Sequence, residues 1–128
     1  MVAKYRFIIL KYNDMQMITS YRFGRVVVGG KTYTQDVVVY PERTADGWWR
    51  KKGHELSRED IREILEYGPR FLIVGTGKFG MMKVPGEVVS HIQAAGIELV
   101  VARTPRAVRL YNGLPPGTRA VAALHLTC

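Results

Sequence analysis

Residues 18–40 carry short β-rich runs in which bulky apolar side chains recur between polar ones, as in Tyr21, Phe23 and Val26-Val27-Val28. Such spacing fits strands with one buried face. Gly29-Gly30 separates that run from Lys31-Thr32-Tyr33-Thr34 and Val37-Val38-Val39-Tyr40. A glycine pair supplies the positive φ angles of a two-residue turn, so the segment reads as an antiparallel hairpin ending at Pro41. Residues 5–12 resemble another short strand broken by Asn13-Asp14, which makes 1–17 an N-terminal extension or extra strand.

Residues 41–55 show no periodicity and read as a loop. The rhythm then changes. Ser57 with Asp60 three residues on resembles a capping box, followed by Ile61, Ile64 and Leu65 on one helical face and by Gly68-Pro69 as a stop. The unbroken apolar run 71–74 fits a strand covered on both faces. A glycine-rich loop, 75–84, leads to Pro85 and a helix with Val88, Val89, Ile92 and Ala95 inward, closed by Gly96. A strand at 97–102, a third helix from Thr104-Pro105 to about Gly113 and a last strand at 119–126 complete the chain. This α-β-α-β-α-β order calls for parallel strands joined by right-handed crossovers. The expected fold is a single α/β domain over 18–128. It has a mixed central sheet with parallel βαβ units flanked by helices, and an N-terminal antiparallel β-layer, making three layers.

Composition narrows the function classes. With 47% apolar and 23% charged residues in 128, the chain is ordinary globular protein. Its one cysteine, Cys128, excludes a disulfide or a cysteine metal cluster within these residues. No apolar run approaches a bilayer span and no secretory signal is evident, so a reducing, cytoplasmic setting without membrane contact is expected. Nineteen Lys and Arg against eleven Asp and Glu leave a net charge of +8, which permits an anionic partner. The charge concentrates in Trp48-Trp49-Arg50-Lys51-Lys52 and after Glu98, where Arg103, Arg106, Arg109 and Arg119 meet no acid. The first three arginines fall on one helical stripe roughly 120° wide.

Gly75-Thr76-Gly77-Lys78-Phe79-Gly80 matches the G-x-G-x-x-G spacing of dinucleotide loops. Two details depart from that fingerprint. Met81 to Val84 intervene before the helix, and Arg103 rather than an acid ends the next strand. No cofactor is called for. The loops at the carboxyl ends of parallel strands still bring Gly75, Thr76, Gly77, Lys78 and Lys83 beside Arg103 and Thr104, with Thr104 as a helix cap, a candidate small-anion crevice. His54, His91 and His125 lack the spacing of a ligand pair, so no metal site is expected. Cys128, three residues after His125, sits where a nucleophile is poorly held. The Trp-Arg-Lys-Lys loop combines aromatic faces with cations as single-strand nucleic-acid binders do, and one Trp capping the core is the plainer reading.

Taken together, several motifs resemble a small family of unknown function first seen in a methanogen protein. They are Phe23-Gly24, Asp36-Val37-Val38-Val39-Tyr40-Pro41, Trp49-Arg50 with Gly53-His54, Gly75-Thr76-Gly77, Thr104 with Ala107, Tyr111-Asn112 and His125-Leu126-Thr127-Cys128. The family's animal members include an adipogenesis-associated protein and an assembly factor of mitochondrial complex I. The resemblance implies a mixed sheet flanked by helices and a β-layer; it does not imply an enzyme activity, and the family's animal members act through protein partners. It marks Arg50, His54, Asn112 and His125 as polar motif residues. The leading expectation is a non-enzymatic protein-binding or assembly module, with a small-anion crevice at residues 75–80 and room for self-association. One alternative is an enzyme or nucleotide binder using Arg50, His54, Thr76, Lys78, Thr104 and Asn112. The other is nucleic-acid binding through the 49–52 loop and the arginine helix.

Overall fold

The computed structural model describes residues 17–128, so the strand expected at 5–12 lies outside the described residues. Strands β1 (Ile18–Arg22), β2 (Arg25–Val28) and β3 (Lys31–Tyr33) form an antiparallel three-stranded sheet. Its second turn is the expected one: Gly29 and Gly30 have φ of 56° and 80°, which suits a two-residue hairpin.

The second arm of that hairpin is where the sequence reading needs correction. β4 (Val37–Val39) leaves the small sheet and enters a five-stranded one, pairing antiparallel with β8 (Ala120–His125) and with β5 (Thr44–Asp46). All three valines of β4 are buried, so the strand needs cover on both faces, which the small sheet does not provide. β5 lies inside the segment read as a loop; at three residues it is too short to show a period.

The large sheet runs β5-β4-β8-β6-β7, with β6 (Phe71–Thr76) parallel to both β7 (Glu98–Ala102) and β8. Helices α1 (Arg62–Tyr67) and α2 (Gly86–Ala94) lie on one face; α3 (Thr104–Asn112) and the small sheet lie on the other. Alternation sorts the core. Leu72, Val74, Val121 and Ala123 pack with Ile64, Val88 and Ile92, whereas Ile73, Ala122 and Leu124 pack with Val26, Val28, Ala107 and Val108. Each large aliphatic side chain so buried contributes roughly 1.5–3 kcal/mol.

The Ser57 capping box forms by half. Asp60 accepts the Ser57 N–H at 2.8 Å, while the Ser57 hydroxyl is buried without a partner. The chain makes a 3-10 turn, Glu59–Ile61, before α1. Gly68, at φ 72°, then closes α1.

Candidate functional site

The chain passes from β6 to β7 on one side and then, through α3, to β8 on the other side of β6, so the strand order reverses at β6. Open α/β sheets bind ligands at such reversals, beside the strands' carboxyl ends. Here those ends bring Thr76, Gly77, Arg103, Thr104 and His125 together, as the expected crevice requires. What fills the crevice is the chain itself. Lys78 N–H donates to Thr127 O at 2.7 Å and Met81 N–H to Cys128 O at 2.9 Å; Gly80 and Met82 N–H groups bond to Gly77 and Thr76 carbonyls. Gly77 N–H donates to the Thr104 hydroxyl at 2.8 Å, which itself donates to His125 O at 2.5 Å. Thr104 is therefore a bridge between β6, α3 and β8. The cap position of α3 belongs to Arg103.

Gly77 is a glycine for two reasons. Its φ of +102° is one that side-chain-bearing residues rarely adopt. A Cβ there would also strike the Cys128 main chain and approach His125 Cδ2 at 2.9 Å. Gly75 is equally confined, with Thr104 Oγ1 at 2.8 Å and Leu124 Cδ2 at 2.9 Å from a built Cβ. The glycine spacing thus admits residues 126–128 and α3.

Beside this plug lies a buried polar cluster. Asp36, just before β4, accepts from Arg50 Nη2 at 2.7 Å and from His125 Nδ1 at 2.8 Å through Oδ2, and from Leu126 N–H at 2.8 Å through Oδ1. A carboxylate only accepts, so His125 Nδ1 carries its hydrogen toward Asp36, and Arg50 Nη2, 3.0 Å away, is a second donor to the same oxygen. Burial alone would raise the Asp36 carboxyl, but hydrogen bonds from His125, Leu126 and Arg50, with the Arg50 charge, outweigh it and hold the group below its ordinary range. Arg50 also donates to Gly53 O. Arg50 Nη1 and His125 Nε2 are buried with no protein partner. The exposed His54 ring meets His125 edge-on at 5.5 Å. The cluster ties the 48–53 loop and β8 to the start of β4. In the sequence Asp36 stands out only as part of a motif; its company with Arg50 and His125, 14 and 89 residues away, is a tertiary fact.

The remaining sequence candidates separate cleanly. Asn112 pins β1, accepting from Ile18 N–H at 3.1 Å and donating to Ile18 O at 2.7 Å. In the Trp-Arg-Lys-Lys loop, Trp48 packs on the core and donates to Asp60 O, Arg50 is buried, and Lys52 pairs with Glu55 at 3.2 Å. Trp49, 75% exposed, Lys51, at 4.0 Å from Glu59, and the paired Lys52 stand outward there. A hollow between this loop and α1 is lined by Asp46, Glu59, Asp60 and Glu63 together with Arg62, so carboxylates outnumber cations there.

Cations free of any carboxylate collect at the outer rim. Lys78 and Arg103 join Arg106 and Arg109 of α3 around a groove with Phe79, Val101, Ala102 and Pro105. All four cations are exposed, and among the described residues none forms an ion pair. Phe79 is 59% and Val101 44% exposed, and Phe79 lies 6.3 Å from the exposed Phe23 ring. Among the described residues no helix is long and apolar enough to cross a membrane.

A mixed five-stranded sheet, a β-layer, a plugged strand-order reversal and a basic rim define a small α/β domain. The chain belongs to the family described as protein of unknown function (DUF498/DUF598), which residues 18–125 match. Its fold is shared with conserved hypothetical protein PH1505 from Pyrococcus horikoshii OT3, at 29% identity, over 87% of this chain and 98% of that one, with a TM-score of 0.73. A structure named MT938 is 27% identical over 88% and 99% of the two chains, with a TM-score of 0.72. A Bordetella pertussis protein described as a Mth938-like domain is 20% identical over 87% and 85%, with a TM-score of 0.71. The resemblance to the methanogen-type family therefore holds.

Proposed function

We propose that this protein is a non-enzymatic docking module that receives an acidic segment of a partner protein in the groove between β7 and α3. The observation that carries this reading is the cluster of Lys78, Arg103, Arg106 and Arg109 around exposed Phe79 and Val101, with no carboxylate in the groove lining. Like charges held side by side repel, and an anionic partner relieves that repulsion while apolar side chains cover the groove floor. The glycine loop supports a small-anion reading less, because the N–H groups of Gly77, Lys78, Gly80, Met81 and Met82 are bonded within the chain. The 48–52 loop supports a nucleic-acid reading less, because Arg50 is buried and Lys52 is paired.

The test measures fluorescence anisotropy of labelled oligoglutamate carrying interspersed valines, against labelled single-stranded DNA and RNA and against inorganic phosphate as competitor. Peptide binding that weakens by about tenfold when salt rises to ~0.3 M, and that disappears in Arg106→Glu/Arg109→Glu, is expected. Equal affinity for wild type and the double variant overturns the reading. Preferential binding of DNA or RNA gives the site to nucleic acid, and competition by millimolar phosphate gives it to a small anion.

A further inference from the structure

The partner's conformation is written in the edge beside the groove. We infer that the acidic segment binds as an added β-strand along the free edge of β7. This inference rests on the docking reading above and states how the segment is held.

Among the described residues, β7 is the last strand of the five-stranded sheet. Glu98 N–H donates inward, to Arg70 O at 2.9 Å. Successive residues of a parallel strand direct their backbone groups to alternate sides, so Val100 and Ala102 also address β6, whereas Leu99 and Val101 present N–H and C=O outward. An open row of backbone donors and acceptors is a template for another chain unless something blunts it. Natural edges carry prolines, bulges or charges. β7 reads Glu-Leu-Val-Val-Ala, pairs with β6 in unbroken register from Glu98 to Ala102 and has its one charge at the far end.

Side-chain geometry then selects the sequence of the guest. Val101 follows Leu99 on the face that packs toward α2, while Val100 and Ala102 face α3. A strand laid along β7 therefore turns every second residue toward the α3 face, where Arg106 and Arg109 stand, and the others toward the side of the exposed Val101. Acidic residues alternating with aliphatic ones match both faces. Lys78, Arg103 and Phe79 at the carboxyl end of β7, with Glu98 at its start, place the strongest demand for negative charge at the Arg103 end. Strand addition supplies backbone hydrogen bonds for affinity, and the alternating pockets supply specificity.

The decisive experiment uses the full chain and four five-residue peptides: alternating Glu-Val-Glu-Val-Glu, the same peptide N-methylated at its two valines, the same peptide N-methylated at its glutamates, and a lysine version. One methylation pattern blocks the bonding edge and weakens binding at least tenfold, the other is tolerated, and the lysine peptide does not bind. Val101→Pro removes an outward N–H without touching the β6 ladder, and a tenfold or greater loss in that variant is expected, with β6 amide exchange unchanged. If both methylated peptides and Val101→Pro bind like the parent while Arg106→Glu/Arg109→Glu does not, strand addition is overturned and groove docking stands. If the parent peptide does not bind at all, both fail. The methylated peptides keep the test decisive should Val101→Pro not fold.

Discussion

Replacing Gly77 by alanine tests whether the glycine loop exists to seat the last residues of the chain. The φ of +102° costs a residue with a side chain about 1–2 kcal/mol. The new methyl group also has the Cys128 main chain in its way, and backbone, unlike a side-chain tip, cannot swing aside. Displacing residues 126–128 breaks the bonds from Lys78 N–H to Thr127 O and from Met81 N–H to Cys128 O, each worth about 1 kcal/mol. Together these amount to about 3–4 kcal/mol. Gly80→Ala is the control. It has a positive φ of +72° too, but its nearest contact is Arg103 Cγ at 3.4 Å, the stem of a flexible side chain, so only the conformational cost of about 1–2 kcal/mol applies. In urea unfolding, with a slope of about 1.5–2 kcal/mol per molar, the midpoint falls by about 2 M for Gly77→Ala and by less than about 1 M for Gly80→Ala. Amide exchange at Lys78 and Met81 accelerates only in the first variant. Equal midpoints, or unchanged exchange in Gly77→Ala, would refute the reasoning.

Three further outcomes are expected. Asp36→Asn leaves Arg50, whose side chain is 5% exposed, without its carboxylate, at a cost of about 3–5 kcal/mol by urea unfolding at pH 7. Because the folded state holds Asp36 below its ordinary range, it binds fewer protons than the unfolded chain. That stabilisation is full above about pH 4 and is lost as pH falls through the folded value, so the stability difference between wild type and Asp36→Asn narrows in acid; a constant difference refutes the cause. Thr104→Val orphans Gly77 N–H and His125 O, a loss of about 2–3 kcal/mol, and a midpoint within experimental error of wild type refutes the bridging role. Burial pushes the Tyr111 phenol up to about 12, above the ordinary 10.0. The folded state therefore loses stability as pH climbs from 10 toward 12, a slope that Tyr111→Phe should flatten and that ultraviolet titration of the phenolate should report.

The parts of the fold visible in the chain were those set by local chemistry. Gly29-Gly30, Gly68, Pro85 with Gly96, and the run Phe71 to Val74 each act on their immediate neighbours, and each stands where its residue type demands. The α-β-α-β-α-β order also gave the parallel pairing of β6 with β7 and β8, but the sheet that β4 joins was not visible. Val37-Val38-Val39 continues the β-rich pattern of the strands before it, and only the burial of three successive valines shows that it needs two covered faces. The site divides the same way. Arg103, Arg106 and Arg109 were spaced for one stripe because helical geometry is local. Asp36, Arg50 and His125 converge only when β4 and β8 pair and the 48–53 loop folds over them.

The glycine loop shows why a matching spacing does not decide a site. Glycines permit close backbone approach, and that permission is indifferent to whether a pyrophosphate or a peptide makes the approach. Here Thr127 and Cys128 take the N–H groups that a phosphate would use, and Thr104 takes another. The positive charge expected to serve that crevice is pushed outward with Lys78 and Arg103, since the interior is occupied by neutral main chain and by an Asp36–Arg50 pair already in balance. On the surface the same cations meet an unblunted strand edge. The strand addition proposed above calls for cations at the rim, and Lys78, Arg103, Arg106 and Arg109 are exposed there.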